Sequence, residues 1–239
     1  HEQNSVAGTT NRLLARFASQ VFEAFPGSFA EAVGAVQVGN PVRASLRALE
    51  NPVVRFASRP AGEPRRLLIL GGSQGASSLN DTLPRALALM PAERRPRIWH
   101  QAGRAAPQVK AAYEAAGVSA EVSEFIEDMA VPYAWADLAV CRAGALTLAE
   151  LAAVGLGAIL VPYPYAIDDH QLKNAEFFVG RGAAQLLVEA ELNPKRLSES
   201  LGQLLSEQDR LLELARVSRA LDHPAAAEQV AAACRGVTT

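Results

Sequence analysis

Three short segments of small or polar residues could each contact a phosphorylated ligand, and each follows an apolar run. The first, Gly71-Gly72-Ser73-Gln74-Gly75-Ala76, comes directly after the run LLIL at 67–70 and precedes a helical pattern. Glycines let backbone N–H groups approach an anion, and the start of a helix adds a favourable dipole. Phosphate is the expected anion, although a tight strand-to-helix turn needs the same small residues.

The glycine loop fails two familiar nucleotide-binding patterns. In G-x-G-x-x-G ending at Gly75 the first glycine would fall on Leu70, and His100-Gln101 stands where an acidic residue should follow the second strand. No Gly-Lys-Ser/Thr follows the loop either, as a P-loop requires. The sequence therefore disfavours NAD binding and ATP hydrolysis.

The second segment, CRAGALT at 141–147, follows another apolar run and leads into a helical pattern that contains Glu150. A carboxylate at this place can accept two hydrogen bonds from the adjacent hydroxyls of a ribose. The alternative is a first-turn glutamate that complements the helix dipole.

The third segment runs from Pro162 to Gln171 and carries Tyr163, Tyr165 and two aspartates. Gln171 and Asn174 lie three residues apart, on one face of a predicted helix, so both could reach one sugar. The alternative is that Asp168 or Asp169 caps the helix and the polar residues behind it are solvated.

Alternating strand and helix patterns would position these three segments. Short β-rich runs at 67–70, 97–100, 138–141, 158–161 and 184–188 predict buried parallel strands. Residues 78–90, 105–116, 146–154 and 171–180 predict the crossover helices. This alternation predicts an α/β fold with a doubly wound sheet, in which the loops line one crevice. Residues 8–22 predict an amphipathic helix or helical turn, residues 36–38 a strand, and the chain beyond Pro194 helices with a break at 222–224.

Composition excludes several classes of protein. The chain has 239 residues, 49% of them hydrophobic, and a net charge of −2, which excludes a disordered chain and disfavours nucleic-acid binding. Two cysteines and four scattered histidines favour a reducing compartment and give no metal site. No apolar run approaches the roughly 20 residues that cross a bilayer.

Five groups of residues, in one order along the chain, carry a family resemblance. They are HEQN at 1–4, GNPVR at 39–43, GGSQGA at 71–76, CRAGALT at 141–147 with Glu150, and DHQLKNA at 169–175. Together they resemble the motifs of the MurG family of bacterial glycosyltransferases. Each group is short, but the set spans nearly the whole chain.

The resemblance implies a GT-B fold, built from two Rossmann-like domains. Residues 41–221 are then expected to form the domain that binds the nucleotide-sugar donor. Residues 1–40 would be the C-terminal remnant of an N-terminal acceptor domain, and residues 222–239 a terminal helix that packs back toward that domain.

The resemblance also implies an activity, in which an inverting enzyme transfers N-acetylglucosamine from UDP to undecaprenyl-diphosphate-linked muramoyl-pentapeptide during peptidoglycan synthesis. It implies no cofactor, no metal and no nucleic-acid partner, and a peripheral place at the cytoplasmic face of the bacterial membrane. The glycine-rich, histidine-containing loop that opens the family's N-terminal domain is not found in residues 1–239. We therefore expect the chain alone to be inactive, and no residue in it is a good candidate for the general base.

Carried over position by position, the resemblance assigns the donor to a defined set of residues. Ser73 would contact the diphosphate, Ile126 and Arg43 the uracil side, Glu150 the ribose hydroxyls, Ala145, Leu146 and Thr147 the phosphate and sugar, and Gln171 with Asn4 the N-acetylglucosamine. Supporting positions would be Gly72, Gln74, Gly75, Arg142, Gly144, His170 and Asn174. Two alternatives share this donor site: an epimerase of UDP-N-acetylglucosamine, and a UDP-binding module without catalysis.

Overall fold

A six-stranded parallel sheet forms the centre of the molecule. The computed structural model describes residues 1–60, 62–72 and 76–236. The sheet strands are β3 (Arg66–Leu70), β4 (Arg97–Gln101), β5 (Glu121–Ser123), β6 (Leu138–Cys141), β7 (Ala158–Leu160) and β8 (Ala184–Leu186), and the sheet order is β5-β4-β3-β6-β7-β8. The order reverses between β3 and β6, so the crevice of a doubly wound sheet opens at the carboxyl ends of these two strands.

Helices cover both faces of this sheet. The helices are α1 (Thr9–Leu14), α2 (Ala44–Arg47), α3 (Pro52–Ala57), α4 (Ser77–Ala88), α5 (Ala106–Ala115), α6 (Ala130–Trp135), α7 (Ala145–Val154), α8 (His170–Val179), α9 (Pro194–Ser206), α10 (Gln208–Ala220) and α11 (Ala226–Gly236). Helices α4, α5, α7 and α8 confirm the four predicted crossovers. The described residues contain no helix that is long and apolar enough to span a membrane.

Two hydrophobic cores lie on opposite faces of the sheet, and alternate residues of each central strand supply them. In β3, Leu67 and Ile69 belong to one core, whereas Leu68 and Leu70 belong to the other. All four are buried. Burial on both faces explains why the central strands are continuous apolar runs rather than alternating ones.

Two elements differ from the sequence predictions. Strand β5 was not predicted, because it lies at the edge of the sheet and its three residues are exposed or half-buried rather than apolar and buried. The predicted helix at 8–22 is limited to α1, and Leu13, Leu14 and Phe17 are exposed, with Phe17 at 81%. Their helical spacing therefore does not mark a face that packs on the described core.

The N-terminal segment forms a separate small sheet. Strands β1 (Phe22–Glu23) and β2 (Val36–Gln37) pair in parallel, and Glu2 bridges to Glu23. Glu2 is buried, and its carboxylate accepts hydrogen bonds from the backbone N–H groups of Asn4 and Gly8 and from the side chain of Asn11. Burial alone would raise the pKa of Glu2, but these hydrogen bonds outweigh it and hold the pKa below its ordinary value.

The break at 222–224 lies between α10 and α11, where it contacts α2 and the segment before α2. Arg47 donates to the backbone carbonyls of His223 and Pro224 and pairs with Asp222. Gly39, with φ +80°, lies so close to His223 that a Cβ would meet that side chain at 2.3 Å. A glycine is needed at position 39 for both reasons.

Candidate functional site

A cleft of about 320 Å³ lies at the point where the strand order reverses. Its floor is formed by Gly71 and Gly72 after β3 and by Arg142 and Gly144 after β6. Predicted residues at the cleft are Arg43, Gly72, Ile126, Arg142, Gly144, Thr147, Glu150 and Gln171. The amino ends of α4 and α7 follow these loops, and this is the arrangement that favours anionic ligands.

Glu150 lies in the second turn of α7, and both of its carboxylate oxygens have partners. Arg43 donates from Nη2 to Oε1 at 3.2 Å, and the hydroxyl of Tyr133 donates to Oε2 at 3.0 Å. The first turn of α7 contains no acidic residue, so a first-turn glutamate complementing the helix dipole is the wrong interpretation. The carboxylate instead faces a cleft, with 22% of its side chain exposed.

Arg43 is the N-cap residue of α2 and lines the cleft. Its side chain is 57% exposed and pairs with Glu150. The resemblance assigns Arg43 to the uracil side, and that role stays a prediction. In the structure its guanidinium pairs with the carboxylate of Glu150, which the resemblance assigns to the ribose.

Arg142, directly after β6, connects three elements around the cleft. One terminal nitrogen donates to Ser78 in the first turn of α4 at 3.0 Å. The other donates to the carbonyl of Val161 and pairs with Glu189. The guanidinium also lies 5.4 Å from the ring centre of Tyr163. Arg142 therefore fixes the start of α4 relative to the segment after β7.

The loop after β7 does not use the predicted helix cap. Asp168 and Asp169 both have positive φ, 55° and 52°, and Asp169 makes no capping hydrogen bond with its side chain. The prediction that one of them caps α8 is wrong for Asp169, the residue at the N-cap. Gln171, in the first turn of α8, accepts a hydrogen bond from the backbone N–H of Tyr163 at 3.0 Å and lines the cleft.

Asn174 is fully buried, so it does not share an open face with Gln171. Its amide nitrogen donates to the carbonyl of Ala143 and to Oδ1 of Asn4, and its Oδ1 accepts from the backbone N–H of Ser5. In this structure its hydrogen-bonding groups hold the N-terminal segment, and its contact with the same sugar as Gln171 stays a prediction. Asn4, its partner, remains half-buried.

The other predicted positions differ in their exposure. Ala145 and Ile126 are buried, whereas Leu146 is 49% exposed at the start of α7. His170 begins α8. Ser73, Gln74 and Gly75 lie outside the described residues.

Residues that the sequence analysis did not select complete the cleft. They are Leu70, Gln101, Phe125, Glu127, Met129 and Tyr133. Phe125 is 63% exposed. An aromatic ring that is largely exposed beside a cleft can stack on a planar ligand, and its place directly before Ile126 was the available signal.

Other kinds of site find no support in the described part of the chain. Among the described residues no group of His, Cys, Asp and Glu side chains could hold a metal ion. Cys141 is buried, and burial raises the pKa of its thiol to about 12, as expected for a structural cysteine. A larger cavity, about 770 Å³, is lined by Pro64, Arg65 and Arg95, which precede strands, so it opens at the opposite end of the sheet from these junctions.

Comparison with known proteins supplies a family. The model of the family described as "Glycosyltransferase family 28 C-terminal domain" matches residues 66–230. The chain is 51% identical, over its whole length, to the UDP-N-acetylglucosamine–N-acetylmuramyl-(pentapeptide) pyrophosphoryl-undecaprenol N-acetylglucosamine transferase of Nitrosococcus oceani, and spans 66% of that protein. It is 52% identical, over 98% of its length, to the protein of the same name from Alkalilimnicola ehrlichii, and spans 65% of it.

A solved structure supports the same conclusion. The crystal structure of Acinetobacter baumannii MurG superposes on 96% of this chain with a TM-score of 0.84 and 37% sequence identity, and this chain covers 64% of it. The expected α/β fold of the GT-B type is thereby confirmed. Since the matched domain covers more than half of its residues, the chain belongs to glycosyltransferase family 28.

Proposed function

We propose that this chain is the donor-binding part of an inverting glycosyltransferase. The intact enzyme would move N-acetylglucosamine from UDP to an undecaprenyl-diphosphate-linked muramoyl-pentapeptide, as the relatives' names describe. The observation that carries the proposal is the Glu150 carboxylate, which faces a cleft between two strand–loop–helix junctions in a chain about half identical to those transferases.

The electrostatics of the cleft fit a nucleoside diphosphate sugar. The amino ends of α4 and α7 supply partial positive charge and free backbone N–H groups for the diphosphate. Glu150 lies one turn into α7, within reach of the ribose hydroxyls of a nucleotide whose phosphates lie at those helix ends. Gln171 supplies an amide for the sugar.

The chemistry would be direct displacement at the anomeric carbon. An acceptor hydroxyl attacks, the bond to the diphosphate oxygen breaks, and UDP leaves with the electron pair. Helix dipoles and loop N–H groups would stabilise the negative charge that develops on the leaving diphosphate. A general base must remove the proton from the acceptor hydroxyl. We propose that this base lies outside the chain, which therefore does not turn over alone.

We further propose that residues 1–40 belong with an acceptor domain and residues 222–239 pack toward it. Exposed Leu13, Leu14 and Phe17 and the two-stranded sheet of β1 and β2 support this division, because so small a sheet is marginal by itself. The hydrogen bond between the side chains of Gln37 and His223, and the close approach of Gly39 to His223, fit the same division. A peripheral place at the cytoplasmic face of the membrane would come through that domain.

Calorimetric titration of the chain with UDP-N-acetylglucosamine, UDP and NAD tests donor binding. We expect binding of both UDP ligands and none of NAD. Glu150→Ala should weaken UDP binding by about 1.5–3 kcal/mol, because it removes charge-assisted hydrogen bonds to the ribose. The control is Glu63→Ala, which removes a carboxylate paired with Arg66 away from the cleft. Absence of UDP binding, or binding of NAD, would contradict the proposal.

Product analysis separates the catalytic alternatives. Incubated with UDP-N-acetylglucosamine, the chain should give neither transfer to a lipid-linked or soluble acceptor analogue nor a converted nucleotide sugar. Transfer would contradict the proposed inactivity of the chain. Conversion of the free nucleotide sugar without an acceptor would favour the epimerase.

A further inference from the structure

The orientation of the Glu150 carboxylate depends on a neighbour that the family resemblance did not select. Tyr133, on α6, donates its hydroxyl to Oε2 of Glu150 at 3.0 Å. The tyrosine side chain is fully buried, and its ring packs in the core on the same face of the sheet as Leu148 and Leu151 of α7. The hydroxyl is therefore held in place by packing, independently of any ligand.

The hydroxyl can act only as a donor in this contact. An ionised carboxylate has no proton to give, so the tyrosine must supply it. Burial, together with the negative charge of Glu150, raises the pKa of Tyr133 well above its ordinary value. The phenol thus keeps its proton at neutral pH and can donate it to the carboxylate.

The partner on the other oxygen is of a different kind. Arg43 reaches Oε1 at 3.2 Å, but its side chain is 57% exposed and extends from the N-cap of a four-residue helix. A long exposed side chain can leave at little cost, whereas a buried ring cannot. Glu150 accordingly has one permanent partner, on Oε2, and one exchangeable partner, on Oε1.

We propose that Tyr133 is a positioning residue that fixes the Glu150 carboxylate for a vicinal diol and thereby makes the cleft select ribonucleotides over 2′-deoxyribonucleotides. This inference rests on the proposed function, since it requires a nucleotide in the cleft. With Oε2 fixed, rotation of the carboxylate about its last bond is restricted, so its free lone pairs keep one direction. Two adjacent hydroxyls can both donate to the carboxylate only when it keeps one orientation. A single hydroxyl can donate to it in many orientations, so it gains less from the fixed direction.

The decisive measurement is the ratio of the dissociation constants for 2′-deoxy-UDP and UDP. We expect the unmodified chain to prefer UDP by roughly tenfold or more, and Tyr133→Phe to reduce this ratio by roughly three- to tenfold. Affinity for 2′-deoxy-UDP should change little. If Tyr133 had a purely structural role, Tyr133→Phe would weaken the binding of both nucleotides by the same factor and leave the ratio unchanged.

Tyr113→Phe is the matched control. Tyr113 is also buried, and its hydroxyl also has a buried partner, His100, and neither of these two residues lines the cleft. The same deletion of one oxygen should therefore leave the ratio as it is in the unmodified chain. An equal reduction in both variants would overturn the proposal.

A second measurement applies if Tyr133→Phe does not fold. 3-Fluorotyrosine at position 133 keeps the hydroxyl that donates to Glu150. The chemical shift of its fluorine should change more on addition of UDP than of 2′-deoxy-UDP, because the two hydroxyls of the diol donate to the same carboxylate. Equal movement with both nucleotides would overturn the inference. Loss of UDP binding in the unmodified chain would remove the proposed function and the inference together, whereas binding that depends on Glu150 but not on Tyr133 would remove the inference alone.

Discussion

Acid should destabilise this chain through one buried histidine. His100 is completely buried in β4, and its ring lies between Oδ1 of Asn80 and the hydroxyl of Tyr113, each at 3.1 Å. The neutral ring satisfies both, by donating from Nε2 to Asn80 and accepting at Nδ1 from Tyr113. Burial lowers the pKa of His100 to about 3, because the charged form would lose its hydration.

The sign and size of the effect follow from the two pKa values. In the unfolded chain the ring has its ordinary pKa of 6.5, so below that pH the unfolded state binds a proton that the folded state does not bind until about pH 3. Stability is therefore fully present above pH 6.5 and is lost as the pH falls through this window. Protonation of the unfolded chain should lower the free energy of unfolding by about 2 kcal/mol between about pH 7.5 and about pH 5.

Urea unfolding of the unmodified chain and of His100→Gln at both pH values measures this contribution. Carboxylates titrate in both proteins, so the difference between the two proteins isolates the histidine. The amide that His100→Gln introduces cannot titrate, and the variant should be less stable at the higher pH, with the gap narrowing by about 2 kcal/mol at the lower pH. A gap that stays constant to within about 0.5 kcal/mol would refute the assignment of His100 as a neutral buried group.

Two further predictions concern buried groups away from the cleft. A disulfide reagent should modify one thiol of the native chain, the exposed Cys234, and two thiols in urea. The reason is that Cys141 is buried in the native chain, where burial raises the pKa of its thiol to about 12. Fast reaction of both thiols in the native chain would contradict this. Arg55→Met should lower the free energy of unfolding, measured by chemical denaturation, by about 2–4 kcal/mol, because it leaves the carbonyls of Val154 and Gly155 without their donor. Arg104 is exposed, so Arg104→Met, as a control, should lower the free energy of unfolding by less than about 0.5 kcal/mol.

Strands β3, β6 and β7 could be predicted from the sequence because they are apolar runs buried on both faces. Short β-rich runs also gave β4 and β8, and all five strands were predicted to within two residues at either end. Strand β5, with the sequence Glu-Val-Ser, has no such run. Topology then brought the loops after β3 and β6 together, since parallel strands present their carboxyl ends at one edge.

Contacts between side chains were not predictable in the same way. Arg43 and Glu150 are 107 positions apart, and only the folded chain brings them together. Tyr133 lies in the segment AVPYAW, whose composition indicates core, and it is indeed buried, yet its hydroxyl reaches the cleft edge. Asn174 has the spacing of a ligand contact, but local spacing cannot reveal that the N-terminal segment uses its amide.

Helix α7 has electrically unequal ends. At its carboxyl end, where the helix dipole is negative, the buried guanidinium of Arg55 donates to the carbonyls of Val154 and Gly155. Burial lowers the pKa of Arg55 to about 10, so it stays charged at neutral pH. This permanent cation compensates the negative pole, while the positive pole at Ala145 has no built-in counterion of its own in the first turn. A chain with net charge −2 can thus still carry a local partial positive charge, at the amino end of α7, where the peptide dipoles add.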